Sequence, residues 1–416
     1  MMSASLTVAA ILVAAATLAF ELGISSAIAE VLAEALLGAL LEGDKDVPAL
    51  HILANVGMLG LMFMAGFEVD AQKLRQTWRK SFAIGICSLA LPAAGSFAVA
   101  HLVLGYGALA AGLIAVALST TSLALVYHAL KERGMLASAD GQVLMAAASV
   151  VDVLSMVALA MLLGDVGWGT AIFLLAFVPV VFGLPRLGRA IFAHYNGSVA
   201  ELELRFLLVI LLALGVTAEH TAGVHPAAVA FAAGLAVSDI FVEHDAVARK
   251  LKAVVFSFLA PIFFLEAGMK LSLGAVNTQV LTAAAVLFVT AAGLKFAGTA
   301  LPARRLLNTP PALVGILFNY RLSFGVIAAS VGLSSGVLAD GDYAMLLLVI
   351  LASAALPAAY LRQGGGRRDA TAMPAPEQRF SPDTGLAEAG VQVRLQGWVA
   401  GVTSPLPKER GFWLTD

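Results

Sequence analysis

The stretch "ASVVDVLSM" (Ala148 to Met156) lies in an apolar run from Val143 to Gly164 whose only charged residue is Asp152. A carboxylate is a hard oxygen ligand suited to an alkali ion, and it also holds a proton whose release burial and neighbouring charges can tune. Two further polar runs sit in equally apolar surroundings. "LSTTS" (Leu118 to Ser122) sets four hydroxyl residues in succession, among them Ser119, Thr120 and Thr121. Such side chains bond back to helix carbonyls and loosen the helix, although hydroxyls packed on neighbouring helices are common in membranes too. "FNYRLSFG" (Phe318 to Gly325) gathers Asn319, Arg321 and Ser323. An arginine at the bilayer centre costs at least about 2.5–3.5 kcal/mol, and Arg321 lies about ten residues from either end of its apolar segment, too deep to snorkel to an interface.

The elements that hold these residues are membrane helices. Of 416 residues, 60% are hydrophobic and 12% charged, too few charges to cover a soluble domain of this size. At about 20 apolar residues per crossing, the chain reads as an all-α polytopic membrane protein with thirteen spans. They lie at 5–23, 25–41, 49–67, 81–104, 108–130, 140–163, 167–185, 201–218, 224–241, 251–269, 280–302, 311–335 and 342–361. The one cysteine, Cys87, excludes a disulfide framework. The N-terminus has no basic leader region, so the first span is expected to be a retained helix. Lys73, Arg75, Arg79, Lys80, Lys131, Arg133, Arg186, Arg189, Arg249, Lys250, Lys252, Arg304 and Arg305 all follow odd-numbered spans, against little beyond Lys45 and Lys270 on the other side. The positive-inside rule then places the N-terminus outside and the C-terminus in the cytoplasm.

Residues 1–362 read as one transmembrane domain with repeat-like halves at about 1–165 and 200–362; 363–416 is Gly-, Pro- and charge-rich and reads as a disordered cytoplasmic tail,. Within it only Gly390 to Val402 alternates weakly, as a short strand would. It has no phosphate-binding glycine motif, so no nucleotide-binding regulatory domain is expected, nor any nucleic-acid partner or cofactor. "LMFMAGFEVD" (Leu61 to Asp70) and "FFLEAGMKLS" (Phe263 to Ser272) share a pattern, with Gly66 and Gly268 in matching places on spans of opposite direction. Like sequences of opposite orientation mark inverted-topology repeats. The same offset carries Ser119 to Arg321, so the two polar runs are expected to be paired helices that unwind near the midplane and cross.

These residues also carry a resemblance to a family, the cation:proton antiporter-2 type that includes Kef and NapA, over about residues 5–361. "LMFMAGFEVD" resembles its F-L-A-G-L-E-L-D. "ALSTTSLALVYHALKERG" (Ala117 to Gly134) resembles its A-L-S-S-T-A-V-V-x-x-x-L-x-E-R-G. "SVVDVLSM" falls where the family has an acidic pair or Gln-Asp, and "APIFFLEAGMKLSL" (Ala260 to Leu273) resembles P-I-F-F-V-S-V-G-M-x-x-D-L. "GLKFAG" (Gly293 to Gly298) carries its lysine, Lys295, and "NYRLSFGV" resembles Q-R-G-E-F-A-F.

The resemblance implies a six-helix core that slides against a dimer-forming scaffold, exposing an ion site alternately to each side. It makes Asp152 the residue that binds a monovalent cation or a proton, with Ser119, Thr120 and Thr121 beside it and Lys295, Arg321, Asn319 and Ser323 compensating charge. Neutralised by either ion, the carboxylate is cheap to move through a low-dielectric barrier; bare, it is expensive, and that difference couples the two fluxes. Its implied setting is a homodimer in a bacterial inner membrane. Val151 stands where electrogenic members have a second acid, which leans the exchange towards electroneutral. Leu322 and Ser323 replace a glycine and a glutamate of the family motif, so Arg321 has lost a partner. Glu266 replaces a small residue and is read as that partner, as a second titrating group, or as a plain carboxylate at the outer interface. Glu30 and Glu34 share a face one turn apart and read as a cytoplasmic funnel or a helix contact. His51, His101, His220 and His225 read as solvated residues at outer span ends. The alternatives on the same fold are a gated cation efflux channel and an organic-anion transporter.

Overall fold

The computed structural model describes residues 48–364 except 70, 137, most of 165–201, 222–224 and 244, with isolated positions besides. The expected spans 5–23, 25–41 and 167–185, the pair Glu30 and Glu34, and the tail from 365 onward lie outside the described residues. Every described element is helical, as an apolar surrounding requires of a chain that must satisfy its own backbone. The helices are α1 (Pro48–Phe67), α2 (Ala71–Ala98), α3 (Ala108–Ser119), α4 (Leu123–Glu132), α5 (Ala139–Leu163), α6 (Leu202–Thr221), α7 (Pro226–Glu243), α8 (Asp245–Val254), α9 (Ala260–Met269), α10 (Thr278–Leu306), α11 (Pro311–Leu317), α12 (Leu322–Ser334) and α13 (Asp340–Gly364). A π-helical turn, Val99–Val103, extends α2, and another, Val255–Leu259, joins α8 to α9. Among the described residues, seven helical stretches are long and apolar enough to cross a membrane. Side-chain caps fix two starts: Ser138 accepts from the Gly141 amide at 3.0 Å and Asn277 from that of Val280 at 2.9 Å. Positive-φ glycines, Gly105, Gly134 and Gly336, turn the chain after α2, α4 and α12, where a side chain would be strained.

Two expected spans are not single helices. The span at 108–130 is α3 and α4, parted at Thr120 to Ser122, and that at 311–335 is α11 and α12, parted at Phe318 to Arg321. Thr120 and Ser122 are extended, and Arg321 (φ −130, ψ 29) leaves helical geometry just before α12. Both second halves thus start from a polar residue, Ser122 and Arg321. The register of the breaks pairs these two, about one helical turn away from the pairing of Ser119 with Arg321 that the Ala-Gly motifs give.

Small residues set the packing. A Cβ added to Gly66 would fall 2.0 Å from the Phe231 carbonyl oxygen, and one at Gly234 would fall 2.0 Å from that of Phe63. α1 and α7 therefore cross with both backbones in contact, as glycines permit between membrane helices. Gly298 of α10 rests against the Cys87 carbonyl of α2, and Gly85 of α2 against Val150 of α5. These contacts pack α5, carrying Asp152, and α10, carrying Lys295, against the one helix α2.

Candidate ion site

The two breaks meet. The Ser122 amide donates to the Tyr320 carbonyl at 2.5 Å, the Thr121 hydroxyl to the Phe318 carbonyl at 3.3 Å, and the Ser122 and Ser323 hydroxyls lie 3.4 Å apart. The hydroxyls of Ser119 and Thr120 turn back to the carbonyls of Val116 and Ala117 at 3.0 and 3.2 Å. These bonds give partners to two of the last carbonyls of α3, which have none within the helix,.

Asp152 is 5% exposed and faces a cavity of about 40 Å³ beside this meeting point, room for a few water molecules or a partly hydrated ion. Thr121, Ser122, Ser323 and Glu68 share the cavity with it, and its apolar wall comes from α1, α7, α12 and Phe256 of the second π turn. Such turns occur frequently at functional sites. The structure thus brings together Asp152, Thr121 and Ser323 of the residues singled out in the sequence. Ser119 and Thr120 are buried beside them without lining the cavity. Glu68 and Ser122, which also line the cavity, lie inside motifs quoted above but carry no signal there that sets them apart from their neighbours.

The charges are arranged by helix polarity. Lys295, fully buried on α10, donates to the Ser119 carbonyl at the C-terminal end of α3. Arg321, also fully buried, donates to Asn319 Oδ1 at 2.6 Å and to the Ala291 carbonyl at 3.3 Å, while Asn319 donates to the Gly315 carbonyl of α11 at 2.9 Å. Lys295 therefore sits at the negative end of α3, whereas Arg321, which immediately precedes α12, reaches the end of α11 only through Asn319. The N-terminal ends of α4 and α12, partly positive, reach the cavity through Leu123 and Ser323, where Asp152 faces them. Among the described residues, Arg321 Nε and Nη1 have no hydrogen-bond partner.

Glu266 is placed elsewhere. It accepts from His51 Nδ1 at 2.7 Å and Lys270 Nζ at 3.1 Å, and does not pair with Arg321. It sits one turn from the end of α9, where Lys270 follows, and so lies beyond reach of the buried guanidinium. His51 and His101 are both exposed, as expected of residues at span ends, and each is also hydrogen-bonded, His51 to Glu266 and His101 to the Tyr106 carbonyl at 2.7 Å. The Tyr106 hydroxyl donates to Asp342 at 2.5 Å; burial and that carboxylate push its phenol well above the usual range.

A helical membrane core in which two broken helices meet beside a buried carboxylate, Asp152, belongs to the class of secondary ion transporters,. The chain belongs to the sodium/hydrogen exchanger family: the family model for the transmembrane sodium/hydrogen exchanger matches residues 7–361. It is accordingly a monovalent cation/proton antiporter, an integral membrane transporter and not an enzyme. It is similar to a probable Na(+)/H(+) antiporter of Methanocaldococcus jannaschii, 29% identical over 322 residues, covering 74% of this chain and 81% of that protein. It is also similar to the Na(+)/H(+)-K(+) antiporter GerN of Bacillus cereus, 26% identical over 369 residues, covering 85% and 94%. In fold it matches the solved sodium proton antiporter MjNhaP1 of M. jannaschii at pH 8, with TM-score 0.62 and 14% identity over 86% of this chain and 97% of that one.

Proposed function

We propose that Asp152 is the exchange site, bearing a proton and a monovalent cation in turn, and that the antiporter swaps one for the other by alternating access. The observation that carries this reading is a single buried carboxylate on a cavity where two helix breaks meet. Thr121, Ser122 and Ser323 supply hydroxyl oxygens to an ion stripped of part of its water, and Lys295 and Arg321 hold the broken helix ends. The cation is sodium or potassium; the name of the B. cereus relative covers both. Val151, fully buried beside Asp152, offers no second acid, which supports one-for-one electroneutral exchange.

The wider architecture is part of the same reading. Thirteen spans form two inverted halves whose broken helices cross at the midplane. The N-terminus lies outside and residues after 362 in the cytoplasm, supported by the lysine and arginine asymmetry, and the transporter works as a homodimer. Glu68 directly follows α1 and Lys252 lies at the start of the 251–269 span, so on this topology the cavity opens to the cytoplasm.

The test is cation-induced proton movement in proteoliposomes, run with Na⁺, K⁺ and Li⁺ in turn. Asp152→Asn keeps size and hydrogen bonding but removes the titrating anion, so exchange should vanish from a folded protein. Asp152→Glu keeps the charge on a longer arm and should retain some exchange at altered affinity. A folded Asp152→Asn protein that exchanges at the normal rate would refute the assignment. Cation flux that ignores the proton gradient would mean an efflux channel instead.

A further inference from the structure

The cavity holds a second carboxylate. Glu68 lies one residue beyond α1 and lines the same space as Asp152. Its Oε1 accepts from Lys252 Nζ at 2.6 Å. The two differ in setting: the Glu68 side chain is 17% exposed and that of Lys252 43% exposed. The carboxylate is thus part of the cavity wall, and the ammonium reaches it from the open side. Lys252 has other places to rest, since its ammonium lies 5.6 Å from the Tyr127 ring centre and 5.7 Å from that of Phe256. Aromatic faces hold an ammonium in a cation–π contact, and Phe256 is itself on the cavity wall.

From this we infer that Glu68 is a receiving site for the transported cation at the mouth of the cavity, and that Lys252 is a tethered cation competing with it. When an alkali ion arrives, the ammonium leaves Glu68 for the aromatic faces beside it. The ion then stands between two carboxylates that face one space. The chemistry is plain: a compact ammonium and an alkali ion both seek hard carboxylate oxygen, and only one can take a given lone pair. The tether keeps Glu68 from standing as a bare anion beside Asp152, where like charges repel. This inference rests on the reading of Asp152 as the exchange site, but concerns the step before it.

A structural ion pair and a competing one differ in sign. If the pair merely braces α1 against α8, removing either partner loosens the same contact and shifts function the same way. If Lys252 competes, its loss frees Glu68 and the loss of Glu68 removes the site. The experiment measures KM for Na⁺, and separately for K⁺, in proteoliposomes, with the cation presented to the Glu68 face and, as a reference, to the opposite face. Lys252→Met should lower KM on the Glu68 face about two- to fivefold, the scale of a half-exposed ion pair. Glu68→Gln should raise it. Adding Lys252→Met to Glu68→Gln should bring no recovery, because nothing remains to compete for. Lys252→Gln repeats the test should the methionine variant fold poorly, and Lys252→Arg should keep the competition. Shifts of the same sign, or no shift in either single variant, would overturn the proposal. Asp152→Asn in the same assay separates the two readings: exchange surviving there refutes the exchange site, whereas the sign of the Lys252 effect judges the receiving site alone.

Discussion

Lys295 donates its buried ammonium to the main-chain carbonyl of Ser119, and no ion pair joins it to Asp152. The lysine therefore answers the helix end at Ser119, whose last carbonyls lack helical partners. Asp152 faces the cavity, where it feels the charges of Lys295 and Glu68 through space without a salt-bridge contact to the lysine. Breaking a true buried ion pair from one side costs about 3–5 kcal/mol, and removing both partners recovers most of it. That pattern is not expected here. Lys295→Met should cost about 1–3 kcal/mol, the desolvation of an orphaned acceptor. Asp152→Asn should cost less than the broken-pair figure, and the double variant should not regain the stability lost with Lys295. Thermal melts of the three purified variants check this; recovery in the double variant would instead make the two residues a structural ion pair.

Arg321 is fully buried with two nitrogens unpartnered among the described residues. Asn319 is its only side-chain acceptor there, at 2.6 Å, and in turn holds the Gly315 carbonyl. Asn319→Ala removes both contacts and should cost about 1.5–3 kcal/mol, the range for hydrogen bonds to charged groups. Asn319→Asp restores an acceptor beside the guanidinium and should lose less. The check is the melting temperature of each variant in one detergent, with the asparagine variants ranked wild type, aspartate, alanine.

What the sequence disclosed follows from the solvent it is written for. A lone charge such as Asp152 stands out in lipid because each such charge is expensive, and the runs around Ser119 and Arg321 mark breaks for the same reason. Glu68 was equally visible as a letter, but a carboxylate at the end of a span looks like ordinary surface. Only its pairing with Lys252, 184 residues away, and its place on the cavity set it apart. Of the three readings of Glu266, the pairing with Arg321 is not seen and a carboxylate near a span end fits its contacts; its partner His51, 215 residues off, reads in sequence only as an interfacial histidine. Long-range pairing is set by how helices cross, which periodicity within one helix does not report.

The crossing of α1 with α7 offers a packing prediction. A methyl group at Gly66 meets the Phe231 backbone, which cannot turn aside as a side chain can. Gly66→Ala and Gly234→Ala should each cost about 1–3 kcal/mol or more, as overpacking does, and should lower the yield of monodisperse protein. Gly107 is the control. It has φ −59 and open space where its Cβ would be, so Gly107→Ala should stay within about 0.5 kcal/mol of wild type.

Charge balance provides the last prediction. If only Asp152 carries ions across, each cycle moves one positive charge each way, whether proton or alkali cation, and the net charge moved is zero. Transport at fixed ion gradients should then be flat as the membrane potential is clamped with an ionophore for an ion not under study. Its reversal point should follow the chemical gradients alone. A charge carried through the full field would be worth about 2.3 kcal/mol per 100 mV, so even partial participation by a second group is easily seen. Rates that follow voltage would point first to Glu68, which shares the cavity, and not to Glu266, which His51 and Lys270 hold outside it. In that event Glu68→Gln should flatten the response. The converse variant, Val151→Asp, adds an acid beside Asp152 and should make exchange voltage-dependent if that second carboxylate also takes up protons; its protein must first be shown to fold, since Val151 is fully buried.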